Sequence, residues 1–153
     1  DGEIVALAVV LRLVELVRGI ATTDETLERA RAFATGLGKE VVVCRKDSPG
    51  FITSRAYAAF RLECLRMLQE GVASAEDIDK ALKLGLNHPM GPFEMVDLVG
   101  LDVRLSILEF LQKTLGEAYR PNTILIQHVK AGRLGRKVGR GVYDYNEQGE
   151  RIR

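Results

Sequence analysis

A corner at residues 88–94, His-Pro-Met-Gly-Pro-Phe-Glu, constrains the fold of this chain more than any other stretch. Proline breaks a helix from within, but it suits the first turn of a helix that follows it. We therefore predict that one helix ends ahead of Pro89 and that another begins at Pro92. A second stretch with helix-breaking residues, Asp47 to Arg55, contains Pro49 and Gly50. It separates a first part of the chain with strand and helix patterns from a second part with helical patterns only.

The first third of the chain has the pattern of a strand, a helix and a second strand. Residues Val9–Val17 are rich in β-branched residues and predict a buried strand, although polar residues at every third position leave a helix as the alternative. Thr23, ahead of acidic residues, predicts the N-cap of a helix that ends at Gly36 or Gly38, and Glu40–Cys44 predicts a short strand. These elements together form one crossover unit of a parallel sheet.

The remainder of the chain is predicted to be helical. The stretch after Pro49 predicts a long helix from about Gly50 to Glu70, and Ser74 with Asp77 predicts the cap of the next helix. Further helices are predicted at 92–99, 102–115 and 122–131, and an extended segment at 141–145. The predicted fold class is mainly α, with an all-helical domain at residues 47–153 preceded by a strand–helix–strand part at residues 1–46.

Composition excludes several classes of protein. A formal net charge of +1 provides no overall field for nucleic acid or an acidic membrane, so an anionic ligand must be bound by local groups. The apolar stretch 4–17 is shorter than the roughly 20 residues of a membrane span and has no basic region ahead of it. Cys44 and Cys64 have neither disulfide nor zinc spacing, which predicts buried thiols in a reducing compartment, the cytoplasm.

Seven short strings, in their order and spacing, resemble the carboxy-terminal part of the 3-hydroxyacyl-CoA dehydrogenases, and most closely the bacterial 3-hydroxybutyryl-CoA type. The strings are Leu-Val-Glu-Leu-Val-Arg-Gly at 13–19, Asp-Ser-Pro-Gly-Phe-Ile-Thr-Ser-Arg at 47–55, Glu-Asp-Ile-Asp at 76–79, Leu-Gly at 84–85, the corner at 88–94, Leu-Val-Gly-Leu-Asp at 98–102 and Gly-Arg-Lys-Val-Gly-Arg-Gly-Val-Tyr at 135–143. The resemblance implies that residues 1–46 are the remnant of an NAD-binding Rossmann domain. It also implies that residues 47–153 provide the wall of the acyl-CoA cleft and the dimer interface.

The chemistry implied by the resemblance is hydride removal from C3 of a 3-hydroxyacyl-CoA while a histidine accepts the hydroxyl proton. Glu15 matches the carboxylate that orients this histidine, although a solvated charge on a strand edge remains the alternative. The family's His-Phe-x-Asn-Pro string falls near residues 3–7, which here read Glu-Ile-Val-Ala-Leu. The chain also contains no G-x-G-x-x-G turn for a dinucleotide pyrophosphate. We therefore expect it to be catalytically incomplete and to bind no NAD or NADP by itself.

Other polar residues have weaker assignments. Ser54 stands where the family contacts its substrate, but a serine bonded to the backbone at the start of a helix is an equal alternative. Lys137 matches a lysine that reaches the cofactor, and a solvated basic turn is the alternative. His88 and His128 are interpreted as structural, and they lack the spacing of a metal pair, so no metal site is predicted.

The sequence leaves two functions open. The first is the C-terminal portion of an oxidoreductase that interconverts 3-hydroxyacyl-CoA and 3-ketoacyl-CoA, with an acyl-CoA substrate and a homodimeric assembly implied by the resemblance. The second is a non-enzymatic dimerisation module, natural or engineered, in which residues 3–18 form a helix or pair with another chain. A related β-hydroxyacid or 6-phosphogluconate-type dehydrogenase is a weaker third hypothesis, because the region 66–83 lacks the glycine-rich setting of the catalytic lysine in those enzymes.

Overall fold

The structure is a computed structural model that describes the backbone of residues 6–10 and all of residues 12–152. The chain divides by its internal contacts into two compact units, Asp1–Ala56 and Tyr57–Arg153. The fold is mainly helical, as the sequence predicts. The predicted domain boundary between residues 46 and 47 stays a prediction.

The first unit contains a three-stranded sheet in the order β1–β2–β3. Strands β1 (Ala6–Val10) and β2 (Leu13–Val17) are antiparallel, whereas β2 and β3 (Glu40–Cys44) are parallel. The predicted crossover between parallel strands is therefore confirmed. The prediction of one continuous strand over Val9–Val17 was wrong, because the chain reverses between Val10 and Leu13 and the two halves bond to each other. The alternative prediction of a helix over this stretch was also wrong, because residues 6–10 and 13–17 form strands.

Helix α1 (Asp24–Gly36) covers one face of this sheet. The Thr23 side chain accepts a hydrogen bond from the backbone N–H of Thr26 at 3.1 Å, which is the N-cap expected from the sequence. Alternate residues of β2 point to this face, so that a small apolar cluster forms with the inner side of α1. Its buried members are Val14, Leu16, Leu27 and Ala34.

The remaining helices are α2 (Thr53–Gln69), α3 (Ala75–Gly85), α4 (Pro92–Val99), α5 (Leu101–Leu115) and α6 (Thr123–Lys130), with 3-10 turns at Glu117–Tyr119 and Arg136–Val138. The start predicted for α2 was wrong. Gly50 has a φ of +77° and Phe51 a φ of +48°, and left-handed backbone cannot belong to a right-handed helix. Pro49 therefore lies in the turn at residues 49–52, ahead of α2, rather than in the first turn of the helix.

The core of the helical unit is formed by apolar residues from helices α2 to α6 and by two tyrosines of the C-terminal segment. Its largest fully buried apolar side chains are Phe93, Leu101, Leu111, Leu125 and Val96. Cys64 belongs to this core, and Cys44 is buried in the first unit. Both thiols are free, and burial raises the pKa of Cys64 to about 11.

No helix in the described part of the chain has the length and apolar character needed to cross a membrane.

The corner before α4 is held by a buried carboxylate on α3. Asp79 accepts hydrogen bonds from the backbone N–H groups of Phe93 at 2.8 Å and Glu94 at 3.1 Å, which are free donors at the start of α4. It also accepts one from the Tyr143 hydroxyl at 2.8 Å. A Cβ atom on Gly91 would collide with this carboxylate, so the corner requires glycine for space rather than for backbone freedom.

A second buried carboxylate anchors the C-terminal segment on α4. Asp97 accepts hydrogen bonds from the backbone N–H groups of Val142 and Tyr143 and from the Tyr145 hydroxyl, at 2.8 to 2.9 Å. Gly141 lies against this carboxylate, where a Cβ atom would collide with it. The glycines of this segment therefore serve its packing on α4.

We expect the Gly91→Ala substitution to reduce the free energy of unfolding by about 1–3 kcal/mol, because the new methyl group must displace the Asp79 carboxylate. Gly85→Ala is the matched control, since no atom lies within 4 Å of its added Cβ and the site is the last residue of α3. Urea unfolding of both variants measures the difference. Equal stability of the two variants would contradict the role given to the Asp79 cap.

Candidate functional site

Glu15 occupies the middle of β2, and its side chain is fully buried. One carboxylate oxygen accepts a hydrogen bond from the backbone N–H of Ile52 at 2.9 Å. The other accepts from the backbone N–H of Thr53 at 3.0 Å and from the Thr53 hydroxyl. Glu15 therefore ties the central strand of the sheet to the first residue of α2, where free backbone donors and the helix dipole favour a negative charge.

These contacts set the protonation state of the carboxyl group. Burial by itself would raise the pKa of Glu15, but the hydrogen bonds from the Thr53 side chain and from the backbone of Ile52 and Thr53 outweigh it. The pKa of Glu15 therefore lies below its ordinary value of 4.5. The group is an anion at neutral pH, so the alternative of a solvated charge on a strand edge is wrong.

Ser54 follows Thr53 directly and lies in the first turn of α2. Its side chain is exposed, and its hydroxyl makes no hydrogen bond to the residues that the structure describes. Glu15 thus fixes the backbone next to a serine whose hydroxyl can still donate or accept a bond. The structure brings these two predicted site residues to one place, whereas their roles stay predictions.

Lys137 lies in the helical unit, in the 3-10 turn Arg136–Val138. Its ammonium nitrogen contacts both carboxylate oxygens of Asp102, at 2.6 and 2.7 Å. The lysine hydrogen bond holds the pKa of Asp102 below its ordinary value. Lys137 therefore has a protein partner, which a cofactor phosphate would have to displace or share.

The two histidines have structural surroundings. The His88 ring packs on Phe60 with a centroid distance of 5.2 Å, and Nδ1 of His128 lies 2.8 Å from the carbonyl oxygen of Ile124. The positions expected for the catalytic base are residues 3–7. Of these, residues 3–5 lie outside the described part of the chain, and residues 6 and 7 are described by their backbone in β1.

Sequence reasoning missed Thr53 and two buried arginines, Arg61 and Arg104. One feature of the sequence could have drawn attention to Thr53. It is a hydroxyl residue that follows Pro49 and Gly50 closely, and such a position suits the start of a helix. Arg61 lies between apolar residues of α2. Because arginine side chains are mostly exposed in proteins, the sequence favoured an exposed side chain at this position. Its burial follows from the packing of α2 on α4 and α5.

Two family models match the chain, and together they cover most of its length. The model for the C-terminal domain of 3-hydroxyacyl-CoA dehydrogenase matches residues 50–145, and the model for the NAD-binding domain of the same enzymes matches residues 7–48. The first match alone covers more than half of the chain.

Curated relatives agree with the family models. The chain is 47% identical over 140 residues to a probable 3-hydroxybutyryl-CoA dehydrogenase of Bacillus subtilis, covering 91% of this chain and 48% of the relative. It is 40% identical to the mitochondrial hydroxyacyl-coenzyme A dehydrogenase of Homo sapiens, covering 89% of this chain and 44% of the relative. The chain spans about half the length of the curated relatives it matches.

A solved structure supports the same conclusion for the fold. The crystal structure of (S)-3-hydroxybutyryl-CoA dehydrogenase from Ralstonia eutropha superposes with a TM-score of 0.86 and 43% identity, covering 90% of this chain and 49% of that chain. The fold and the sequence matches define the class of the protein as a relative of the NAD-dependent dehydrogenases that matches their C-terminal domain and part of their NAD-binding domain. Within that class, the chain belongs to the 3-hydroxyacyl-CoA dehydrogenase family.

We expect Thr53→Val to raise the pKa of Glu15 and to reduce the free energy of unfolding at pH 7 by about 1–3 kcal/mol, because a buried carboxylate loses a donor. Thr53→Ser keeps the hydroxyl and is the matched control. A carboxyl group with a lowered folded-state pKa stabilises the fold above its unfolded pKa, and this contribution is lost as the pH falls through the folded pKa.

Unfolding by urea between pH 7 and pH 3 and an NMR titration of the Glu15 carboxyl carbon test this linkage in both variants. The loss of stability below an unfolded-state value near 4.5 should be smaller in Thr53→Val than in Thr53→Ser. The same Glu15 pKa in both variants would contradict the role of the Thr53 hydroxyl.

Proposed function

We propose that this chain is the C-terminal portion of an NAD(P)-dependent dehydrogenase that interconverts 3-hydroxybutyryl-CoA and acetoacetyl-CoA, and that the 153-residue chain is catalytically incomplete by itself. The substrate class is supported by the identity to 3-hydroxybutyryl-CoA dehydrogenases. The observation that carries the incompleteness is the sequence Glu-Ile-Val-Ala-Leu at residues 3–7, where the family places its histidine and asparagine.

The residues present do not fit a bound dinucleotide. The 153 residues contain no glycine-rich strand–turn–helix that could bind a pyrophosphate, and Lys137 is paired with Asp102. In the described sheet, β1 runs antiparallel to β2, so the only parallel pair is β2 with β3. We therefore propose that the chain alone binds neither NAD nor NADP.

The chain retains residues that would support catalysis in a complete enzyme. Glu15 is an anion whose lone pairs are only partly used, so it can still accept a hydrogen bond from an imidazole and orient that ring. Ser54 offers an exposed hydroxyl to an acyl-CoA. Lys137 would contact the cofactor after exchange of its Asp102 partner. Glu15 and Lys137 are thus positioning and binding groups in this proposal.

A homodimer is the assembly that this proposal implies. Large apolar side chains are exposed on the helical unit, among them Phe110, which is 53% exposed, and Leu84, which is 76% exposed. Exposed apolar surface favours association. The alternative of a dimerisation module in which residues 3–18 become a helix is disfavoured by strands β1 and β2, which pair within one chain.

We expect the 153-residue chain to oxidise no NADH with acetoacetyl-CoA above the rate of a protein-free control, measured by absorbance of the reduced cofactor. Extension of the chain with an upstream segment that carries a G-x-G-x-x-G turn and the His-Phe-x-Asn-Pro string in place of residues 3–7 should restore turnover. In that extended chain, Glu15→Gln should lower kcat by about 10-fold or more, since the base loses its orienting anion. Turnover by the 153-residue chain itself would refute its incompleteness.

We expect sedimentation equilibrium at micromolar concentration to give twice the chain mass of 16.9 kDa. Phe110→Glu adds a charge to an exposed apolar position of α5 and should weaken self-association if that surface contributes to it. Glu109→Gln, at the neighbouring exposed position, is the control. A wild-type chain that stays monomeric at these concentrations would overturn the proposed homodimer without affecting the family membership.

A further inference from the structure

A small cavity in the helical unit is lined by two arginines that the proposed reaction does not use. It lies between α2, α4 and α5 and has a volume of about 10 Å³, which is room for about one water molecule. Arg61 and Arg104 are its charged side chains, and Glu15, Ser54 and Lys137 do not line it. The remaining lining side chains are apolar and are those of Ala58, Leu65, Val96, Ile107 and Leu108.

Each arginine has one buried donor that no described residue accepts. Arg61 is only 6% exposed, and its guanidinium contacts Tyr57 both by a side-chain hydrogen bond and over the ring, at 3.8 Å from the centroid. The Nε atoms of Arg61 and Arg104 are nevertheless buried without a hydrogen bond to any described residue. No described carboxylate forms an ion pair with either arginine. Two positive charges therefore line one small space without a negative charge to balance them.

The electrostatics of the cavity favour an anion. Burial, together with the nearby charge of Arg104, lowers the pKa of Arg61 to about 10. Arg61 therefore stays protonated at neutral pH, and the two like charges repel each other across a poorly solvated space. An anion between the two arginines would reduce this repulsion and accept hydrogen bonds from both unused donors.

We propose that this cavity binds one monatomic anion, chloride, which accepts hydrogen bonds from the Nε–H groups of Arg61 and Arg104. The size of the cavity selects a single atom, because carboxylate and phosphate are larger than the water molecule that the space would hold. Water itself fits less well, since its two hydrogens would meet apolar side chains that offer no acceptor. The site goes beyond the proposed dehydrogenase function and does not depend on it.

Exchange of gluconate for chloride at constant ionic strength tests the site in the wild-type chain, because gluconate is too large for the cavity. A ligand that binds only the folded chain stabilises it, so an increase from about 10 to about 200 mM chloride should raise Tm by about 2 °C or more. Thermal unfolding followed by circular dichroism measures this shift. The same Tm in chloride and in gluconate would overturn the proposal.

Substitution of one arginine assigns the chloride effect to the cavity. Arg104→Gln should reduce the chloride-dependent shift in Tm to less than about a quarter of the wild-type shift, because the anion loses a charged donor. Arg120→Gln is the matched control and should keep the full shift, since Arg120 is exposed and paired with Glu117. A full shift in Arg104→Gln would refute the site. If this variant fails to fold, chloride NMR line widths of the wild-type chain decide: saturable broadening that bromide displaces supports the site, and its absence refutes it.

Crystallography with bromide distinguishes the anion from a buried water molecule. Crystals of the wild-type chain grown in sodium bromide should show an anomalous peak in the cavity, within hydrogen-bond distance of the Nε atoms of Arg61 and Arg104. Density for a water molecule there without an anomalous signal would overturn the proposal, because one neutral molecule would then satisfy both donors.

Discussion

The helical unit depends on the exclusion of water from two aspartates, Asp79 and Asp97, whose side chains are 2% and 1% exposed. Burial raises the pKa of both carboxyl groups, and hydrogen bonds from backbone N–H and tyrosine hydroxyl groups act against this rise. A buried carboxylate must be satisfied by donors, so each one dictates the path of the backbone that supplies them. Asp79 thereby fixes the start of α4, and Asp97 fixes the C-terminal segment.

Local signals in the sequence correctly predicted where helices α3 and α4 begin. Pro92 begins α4 and Ser74 caps α3, because proline geometry and a side-chain cap act within one turn of the chain. The buried carboxylate networks were not predictable in this way, since Asp79 and Tyr143 are 64 residues apart. The turn between β1 and β2 was missed because residues 9–17 contain no glycine, proline or asparagine to mark it.

The candidate site was only partly accessible from the sequence. Resemblance predicted that Glu15 orients a histidine, and this role stays a prediction, but the bonds of Glu15 to Ile52 and Thr53 depend on where β2 ends relative to α2. The resemblance matched Lys137 to a lysine that reaches the cofactor, whereas two glycines of the same string, Gly135 and Gly141, lie against Asp97. The sequence also gave no signal for the pairing of Lys137 with Asp102, because the two residues are 35 positions apart.

The position of Glu15 in β2 has a consequence for folding. It lies opposite Val42 in the parallel pair and opposite Ala8 in the antiparallel pair, and its side chain points away from the face that Val14 and Leu16 present to α1. Side chains alternate along a strand, so a slip of β2 by one residue would place this carboxylate among apolar groups without a donor. Glu15 therefore selects the strand register of the sheet, in addition to binding the start of α2.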